Sequence, residues 1–136
     1  MANVFVFGHQ NPDNDAIMSA VVLSQLLNQV EYAGNTYEAC ALGALPAESA
    51  KLLADAGVAE PRQIDSVEEG QLVVLTDHNE SAQSVEGLKS ATVFGVVDHH
   101  RIGDFETAGP LHYLAFPWGS SCTIVTKVAQ MLGIEL

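Results

Sequence analysis

The sequence predicts an α/β domain with a doubly wound, largely parallel sheet and helices on both faces. Apolar runs of strand length alternate along the chain with amphipathic helical segments, as in βαβ units. Hydrophobic residues make up 48% of the 136 residues and charged residues 16%, which fits one compact core and excludes disordered and coiled-coil classes. No repeat or linker divides the chain, so residues 1–136 are predicted to form one domain.

The first strand is predicted at residues 4–7, a continuous apolar run that ends at Gly8 and is typical of a strand buried on both faces. Asn11 and Pro12 predict a helix start, with Asn11 as the N-cap and Pro12 at the first helical position. One face of this helix is apolar. It consists of Ala16, Ala20, Leu23, Leu27 and Val30, widened by Ile17 and Val21. This helix is therefore expected to pack on the sheet.

The remaining strands are separated by turn residues and one further helix. Apolar strands are predicted at 40–42, 72–76 and 92–97, and an edge or antiparallel strand at 111–116. A helix at about 47–56 is opened by Pro46 and closed by Gly57, because proline favours the first helical turn and glycine the position after the last.

A last helix is predicted at about 122–132 and ends at Gly133. Ser120 and Ser121 follow Gly119 and are interpreted as its cap, since serine favours the N-cap position. The alternative is that the backbone N–H groups at this helix start face an anion. Serine-nucleophile catalysis is disfavoured, because the Gly-x-Ser-x-Gly pattern is absent from the sequence.

The charge balance argues against two classes of partner. Five Lys and Arg residues stand against 17 Asp and Glu residues, which gives a net charge of −12. Binding to nucleic acid or to an anionic membrane surface requires the opposite sign. No signal peptide or membrane span is predicted, so the expected location is the cytoplasm. Cys40 and Cys122 match no metal or redox spacing and are predicted to be buried.

Asp and His residues cluster directly after three of the predicted strands. The clusters are His9, Asp13 and Asp15, then Asp77 and His78, then Asp98, His99 and His100. In open parallel sheets, ligands bind beyond the carboxyl ends of the strands. Clusters that are distant in sequence are therefore predicted to meet at one rim of the sheet.

These residue types predict a metal centre. Imidazole together with carboxylate suits Zn, Mn, Fe or Co better than a pure Mg or Ca site. There are more such groups than one ion needs, so a two-metal site is predicted, with a carboxylate between ions about 3.5–4 Å apart and a hydroxide held between them as nucleophile. Two cations would also attract a phosphate or diphosphate substrate to an acidic chain.

The motifs resemble those of the DHH phosphoesterases, and specifically the family II, manganese-dependent inorganic pyrophosphatases. The matching stretches are Gly8-His9-x-Asn11-Pro12-Asp13-x-Asp15, Thr76-Asp77-His78-Asn79-Glu80, Val96-Val97-Asp98-His99-His100-Arg101 and Gly119-Ser120-Ser121-Cys122-Thr123-Ile124-Val125. The resemblance runs from about residue 4 to the last helix. It implies hydrolysis of pyrophosphate to two phosphates with two Mn²⁺ ions, Co²⁺ or Mg²⁺ being alternatives.

The resemblance also implies roles for individual residues. One ion would be held by His9, Asp13 and Asp77, and the other by Asp15, Asp77 and His99, so that Asp77 bridges them. His100 would contact the substrate phosphate. Asp98 would orient an imidazole, while His78 and Asn79 would support the site without binding metal.

The family pattern continues with a further carboxylate and a C-terminal domain whose Lys and Arg residues clamp pyrophosphate. The chain is therefore expected to be an incomplete N-terminal domain, inactive by itself, with pairing to a second copy through a sheet edge. Two alternatives stay open. One is another DHH phosphoesterase, acting on polyphosphate or oligonucleotides, and the other is a non-catalytic fragment that binds metal or forms a dimer contact.

Overall fold

A computed structural model describes residues 2–135 as three α-helices packed on a six-stranded sheet. The strands are β1 (Asn3–Phe7), β2 (Thr36–Ala41), β3 (Arg62–Gln63), β4 (Leu72–Thr76), β5 (Thr92–Asp98) and β6 (His112–Ala115), and the helices are α1 (Asn14–Gln29), α2 (Ala47–Asp55) and α3 (Ser121–Met131). The sheet order is β3-β2-β1-β4-β5-β6, and every neighbouring pair is parallel. The predicted α/β fold with a parallel sheet is confirmed.

The two faces of the sheet are covered differently. On one face, α1 and α3 pack over a buried cluster that includes Val6, Leu23 and Ile124. Leu53 of α2 joins α1 in a smaller cluster. The opposite face, centred on Phe7, is covered by loops and short 3₁₀ turns instead of the α-helices expected there. Buried apolar side chains on both faces explain why the central strands are continuous apolar runs.

Helix α1 begins later than predicted. Its N-cap is Asp13, whose carboxylate accepts a hydrogen bond from the Ala16 N–H. The predicted cap, Asn11, is wrong, because its backbone is left-handed with φ of 51°, whereas an N-cap residue needs an extended backbone. Pro12, predicted at the first helical position, lies before the helix. Val30, predicted on the apolar face, is the exposed C-cap of α1.

Other predicted elements differ from the structure at their edges. The 111–116 segment forms an edge strand, β6, but it pairs parallel to β5, so the antiparallel alternative is wrong. The two-residue β3 was not predicted, because it is too short to show a pattern.

Cys40 is buried as predicted, whereas Cys122 is only partly buried. No helix among residues 2–135 has the length and hydropathy to span a bilayer.

Gly8 allows β1 and α1 to approach each other closely. A Cβ atom built on Gly8 would lie 2.5 Å from the Ala16 Cβ and 2.8 Å from the Ala16 carbonyl oxygen. Contacts this short require the backbone to move, since one of the atoms belongs to the helix main chain. Because Gly8 has no side chain, the loop that carries His9 can lie directly against the start of α1.

We expect Gly8→Ala to lower the free energy of unfolding by about 1–3 kcal/mol, the usual range for overpacking. Urea unfolding of the metal-free protein measures this change. Gly119→Ala is the matched control, because a Cβ atom there meets nothing within 4 Å. Equal stability of the two variants would contradict the close approach.

Candidate metal centre

The loops after β1, β4 and β5 meet at one rim because these three strands are parallel neighbours in the sheet. They bring together the side chains predicted from the sequence: His9, Asp13, Asp15, Asp77, Asp98, His99 and His100. Two sets of side chains each offer potential metal-binding atoms that all lie within 4.8 Å of one another. They are His9 with Asp13 and Asp77, and Asp77 with Asp98, His99 and His100.

Asp77 lies at the centre of the cluster. It is 2% exposed and has a left-handed backbone with φ of 61°, which costs a non-glycine residue energy and is common at functional sites. Its Oδ2 atom lies 3.1 Å from Nε2 of His9, and its Oδ1 atom lies 2.9 Å from Nε2 of His99. Each carboxylate oxygen therefore faces a different imidazole.

The first group lies between β1 and the start of α1. His9 Nδ1 donates to the Gln10 carbonyl at 2.7 Å, so its Nε2 is directed at the carboxylates. Asp13 Oδ1 is 3.7 Å from that Nε2. The hydrogen bond to Asp77 raises the pKa of His9 to about 9, so without metal the imidazole is protonated at neutral pH, and a metal ion must displace that proton.

What we call the second group from here on consists of Asp15, Asp77 and His99, although Asp15 lies outside both of the 4.8 Å sets given above. The Asp15 carboxylate accepts hydrogen bonds from the backbone N–H groups of Ser121, at 2.7 Å, and Cys122, at 2.9 Å. Its Oδ2 atom lies 3.7 Å from His99 Nε2. Burial disfavours ionisation of Asp15, but the hydrogen bonds from Cys122 and Ser121 outweigh it and lower the carboxyl pKa. The sequence offered, as an alternative to capping, that the backbone N–H groups at the start of α3 face an anion. They do face one, and it is the Asp15 carboxylate of the chain itself.

Asp98 holds His100 in place. It is completely buried, and its Oδ1 atom accepts from His100 Nδ1 at 2.7 Å and from the His99 N–H at 2.8 Å. Its Oδ2 atom accepts from Asn79 Nδ2 at 2.9 Å. Both oxygens are therefore engaged within the protein. The His100 side chain is 49% exposed, so its Nε2 can contact a ligand at the rim.

The residues that follow Asp77 after β4 support the site without joining the cluster. His78 is buried, donates from Nδ1 to the Thr76 carbonyl at 2.9 Å and accepts from Ser84 Oγ at Nε2, at 2.8 Å. The Gln10 side chain donates to the Ser84 carbonyl at 2.6 Å, which joins the loops after β1 and β4. Neither Gln10 nor Ser84 was singled out in the sequence, since no residue pattern marks a bond between distant loops.

The residues present fit a divalent metal centre that takes nitrogen and oxygen ligands. Burial and the Asp15 charge both raise the pKa of Asp77, against the hydrogen bond from His9, so the carboxylates repel each other. Among the described residues, no Lys or Arg pairs with this cluster, and Arg101 contacts Glu80 instead, at 3.5 Å. Carboxylates that have imidazole neighbours but no Lys or Arg partner favour binding of a metal cation.

We expect the metal-free protein to lose stability as the pH falls from about 6.5 to 4. Burial lowers the pKa of His78 to about 4, whereas unfolding returns it to about 6.5. Between these values the unfolded chain binds the extra proton, so the free energy of unfolding falls by up to about 1.4 kcal/mol for each pH unit. Urea unfolding in EDTA at several pH values measures this slope.

In the variant His78→Gln, the free energy of unfolding should fall less steeply over the same pH interval, because glutamine does not titrate. His112→Gln removes an exposed histidine on β6 and is the matched control, which should retain the slope. An unchanged slope in His78→Gln would contradict the assignment to His78.

Comparisons with known proteins agree with this architecture. The chain is 46% identical over 138 residues to a protein of Streptococcus agalactiae, and 44% identical over 137 residues to one of Staphylococcus epidermidis. Both are named as probable manganese-dependent inorganic pyrophosphatases. In each alignment the whole chain is covered, but it spans only 44% and 43% of the relative.

Two solved structures share the fold. A Methanococcus jannaschii protein, described as a candidate family II inorganic pyrophosphatase, matches 94% of this chain with a TM-score of 0.81 and 33% identity, over 38% of its own length. An exopolyphosphatase-related protein from Bacteroides fragilis matches 97% of the chain, and 40% of its own length, with a TM-score of 0.63 and 20% identity, which shows likeness of fold alone. The family description "DHH family, N-terminal domain" matches residues 3–135, and the chain therefore belongs to the DHH family.

Proposed function

We propose that this chain is the metal-binding N-terminal domain of an inorganic pyrophosphatase, which hydrolyses pyrophosphate to two phosphates with two Mn²⁺ ions. The observation that carries the proposal is the position of Asp77 between two groups of ligand-type side chains, with one carboxylate oxygen toward each. The names of relatives 42–46% identical over the whole chain support the metal and the substrate.

The first ion would be held by His9, Asp13 and Asp77, and the second by Asp15, Asp77 and His99. When bound, such a pair of ions lowers the pKa of water and neutralises charge on a phosphate substrate. The chain's own residues prepare the site for binding. The backbone bond of His9 to Gln10 and the α3 N–H bonds to Asp15 fix their orientation before any ion arrives.

His100 is proposed to contact the substrate phosphate. Asp98 accepts from its Nδ1, so the orientation of the ring is set, and the half-exposed side chain leaves the rest of the ring available to contact a phosphate group at the rim. Asp98 is thus a positioning residue for His100, held in turn by Asn79.

The whole enzyme is proposed to need residues beyond this domain. The chain spans 43–44% of the length of the curated relatives it matches, and of its five basic residues only Arg101 stands next to one of the motifs. We propose that a C-terminal domain supplies the cationic side chains that hold pyrophosphate. We further propose a cytoplasmic location and a homodimer formed through a sheet edge of this domain.

We expect Asp77→Asn to weaken Mn²⁺ binding more than Asp98→Asn, because Asp77 faces both groups and Asp98 only orients a histidine. Loss of a residue that orients a ligand usually costs about 10–100-fold in affinity or activity, so Asp77→Asn should exceed this range. The free Mn²⁺ signal in electron paramagnetic resonance measures affinity and stoichiometry. Equal affinities of the two variants would contradict the bridging role.

Unfolding can be separated from loss of ligation in the same experiment. Asparagine tolerates a left-handed backbone and has the shape of aspartate, so metal-free Asp77→Asn should still fold, with a moderate loss of stability because the pair with protonated His9 is removed. A large loss of stability would mean that the weaker binding reports misfolding.

Activity tests the proposed substrate. With Mn²⁺, the complete gene product that contains residues 1–136 should release phosphate from pyrophosphate faster than from a longer polyphosphate or a short oligonucleotide. Faster cleavage of either alternative would overturn the assignment in favour of another DHH phosphoesterase.

Residues 1–136 alone should bind Mn²⁺ but hydrolyse pyrophosphate at least about 100-fold more slowly than the complete gene product, since losing even one preorganised donor costs about 10²–10³ in rate.

A further inference from the structure

Ser121, the first residue of α3, contacts both acidic residues on one side of the metal centre. It is completely buried, its backbone N–H donates to Asp15 Oδ2 at 2.7 Å, and its hydroxyl donates to Asp77 Oδ1 at 3.3 Å. The first contact is available to any residue at a helix start, but the second requires a hydroxyl side chain. Ser121 therefore joins a carboxylate on α1 to a carboxylate after β4.

The contact with Asp77 is confined to one carboxylate oxygen. Oδ1 receives the Ser121 hydroxyl and lies 2.9 Å from His99 Nε2, whereas Oδ2 lies 3.1 Å from His9 Nε2. The hydroxyl is thus on the side of the Asp15, Asp77 and His99 group and has no contact with the His9 and Asp13 side.

We infer that Ser121 is a positioning residue for the second metal ion. Its hydroxyl holds the Oδ1 atom of Asp77 on the His99 side, and its N–H holds the Asp15 carboxylate, so that both present an oxygen to the same point near His99. Without the hydroxyl, the Oδ2 atom of Asp77 is still held by His9 Nε2. This inference rests on the proposed metal centre and adds a selectivity between its two halves. Removing the hydroxyl should weaken binding of the second ion and leave binding of the first ion unchanged.

The test measures Mn²⁺ binding to residues 1–136 by electron paramagnetic resonance, in two backgrounds that each disable one group. In His9→Ala, where the second group is intact, adding Ser121→Ala should weaken Mn²⁺ binding about 10–100-fold, the usual effect of losing a residue that orients a ligand. In His99→Ala, where the first group is intact, the same change should alter affinity by less than about twofold.

Ser120→Ala is the matched control. Ser120 caps α3 through a bond from the Thr123 N–H at 3.2 Å, and its hydroxyl touches neither Asp15 nor Asp77. It should lower the thermal unfolding temperature yet leave both Mn²⁺ affinities within about twofold. A loss in Ser120→Ala as large as in Ser121→Ala would mean that helix stability alone controls binding, and would overturn the inference.

A second variant protects the test against misfolding. Ser121→Gly also removes the hydroxyl without adding volume or a metal-binding group, and it should show the same loss in the His9→Ala background if Ser121→Ala does not fold. Equal effects of Ser121 variants in both backgrounds, or none in either, overturn the positioning role while the metal centre stands. Failure of the unchanged chain to bind Mn²⁺ overturns the metal centre and this inference together.

Discussion

The rim of the sheet is organised around one buried carboxylate that cannot be stable without partners. Asp77 is nearly inaccessible and has a left-handed backbone, each of which is unfavourable for an aspartate. Backbone strain of this kind costs about 1–3 kcal/mol, a large share of the usual stability of a domain. The hydrogen bonds from His9, His99 and Ser121 offset that cost, and they come from three different elements. Satisfying Asp77 therefore requires the loop after β1, the segment after β5 and the start of α3 to be in place together.

Parallel topology makes this convergence available, and the contacts between loops make it specific. Any three neighbouring parallel strands bring their following loops to one rim, but they do not fix the side chains. Here Gln10 bonds to the segment after β4, and Asn79 bonds to Asp98 and to the Arg101 carbonyl. Two of these three bonds end on a backbone carbonyl and so anchor the loops from which the histidines enter the site.

The sequence was sufficient for the existence of the five longer strands, for the helical faces and for the grouping of acidic and histidine residues, because each depends on local periodicity or on position after a strand. It was not sufficient where two local signals compete. Asn11 and Asp13 are both good N-caps, and the choice depends on the left-handed turn at Asn11. The Ser121 hydroxyl bond to Asp77 spans 44 residues, and no pattern within one segment encodes it. The covering of the second sheet face by 3₁₀ turns likewise depends on tertiary packing.

Helix α3 explains how a strongly acidic site can form before metal is bound. Its first two backbone N–H groups donate to Asp15, and the partial positive charge of a helix start stabilises an anion there. His9, protonated near neutral pH because of Asp77, supplies a full positive charge on the other side. One half of the cluster is thus balanced by a helix terminus and the other by a proton. In the proposed metal centre, His9 would give up that proton to act as a ligand, whereas the helix contact would remain as the support of Asp15.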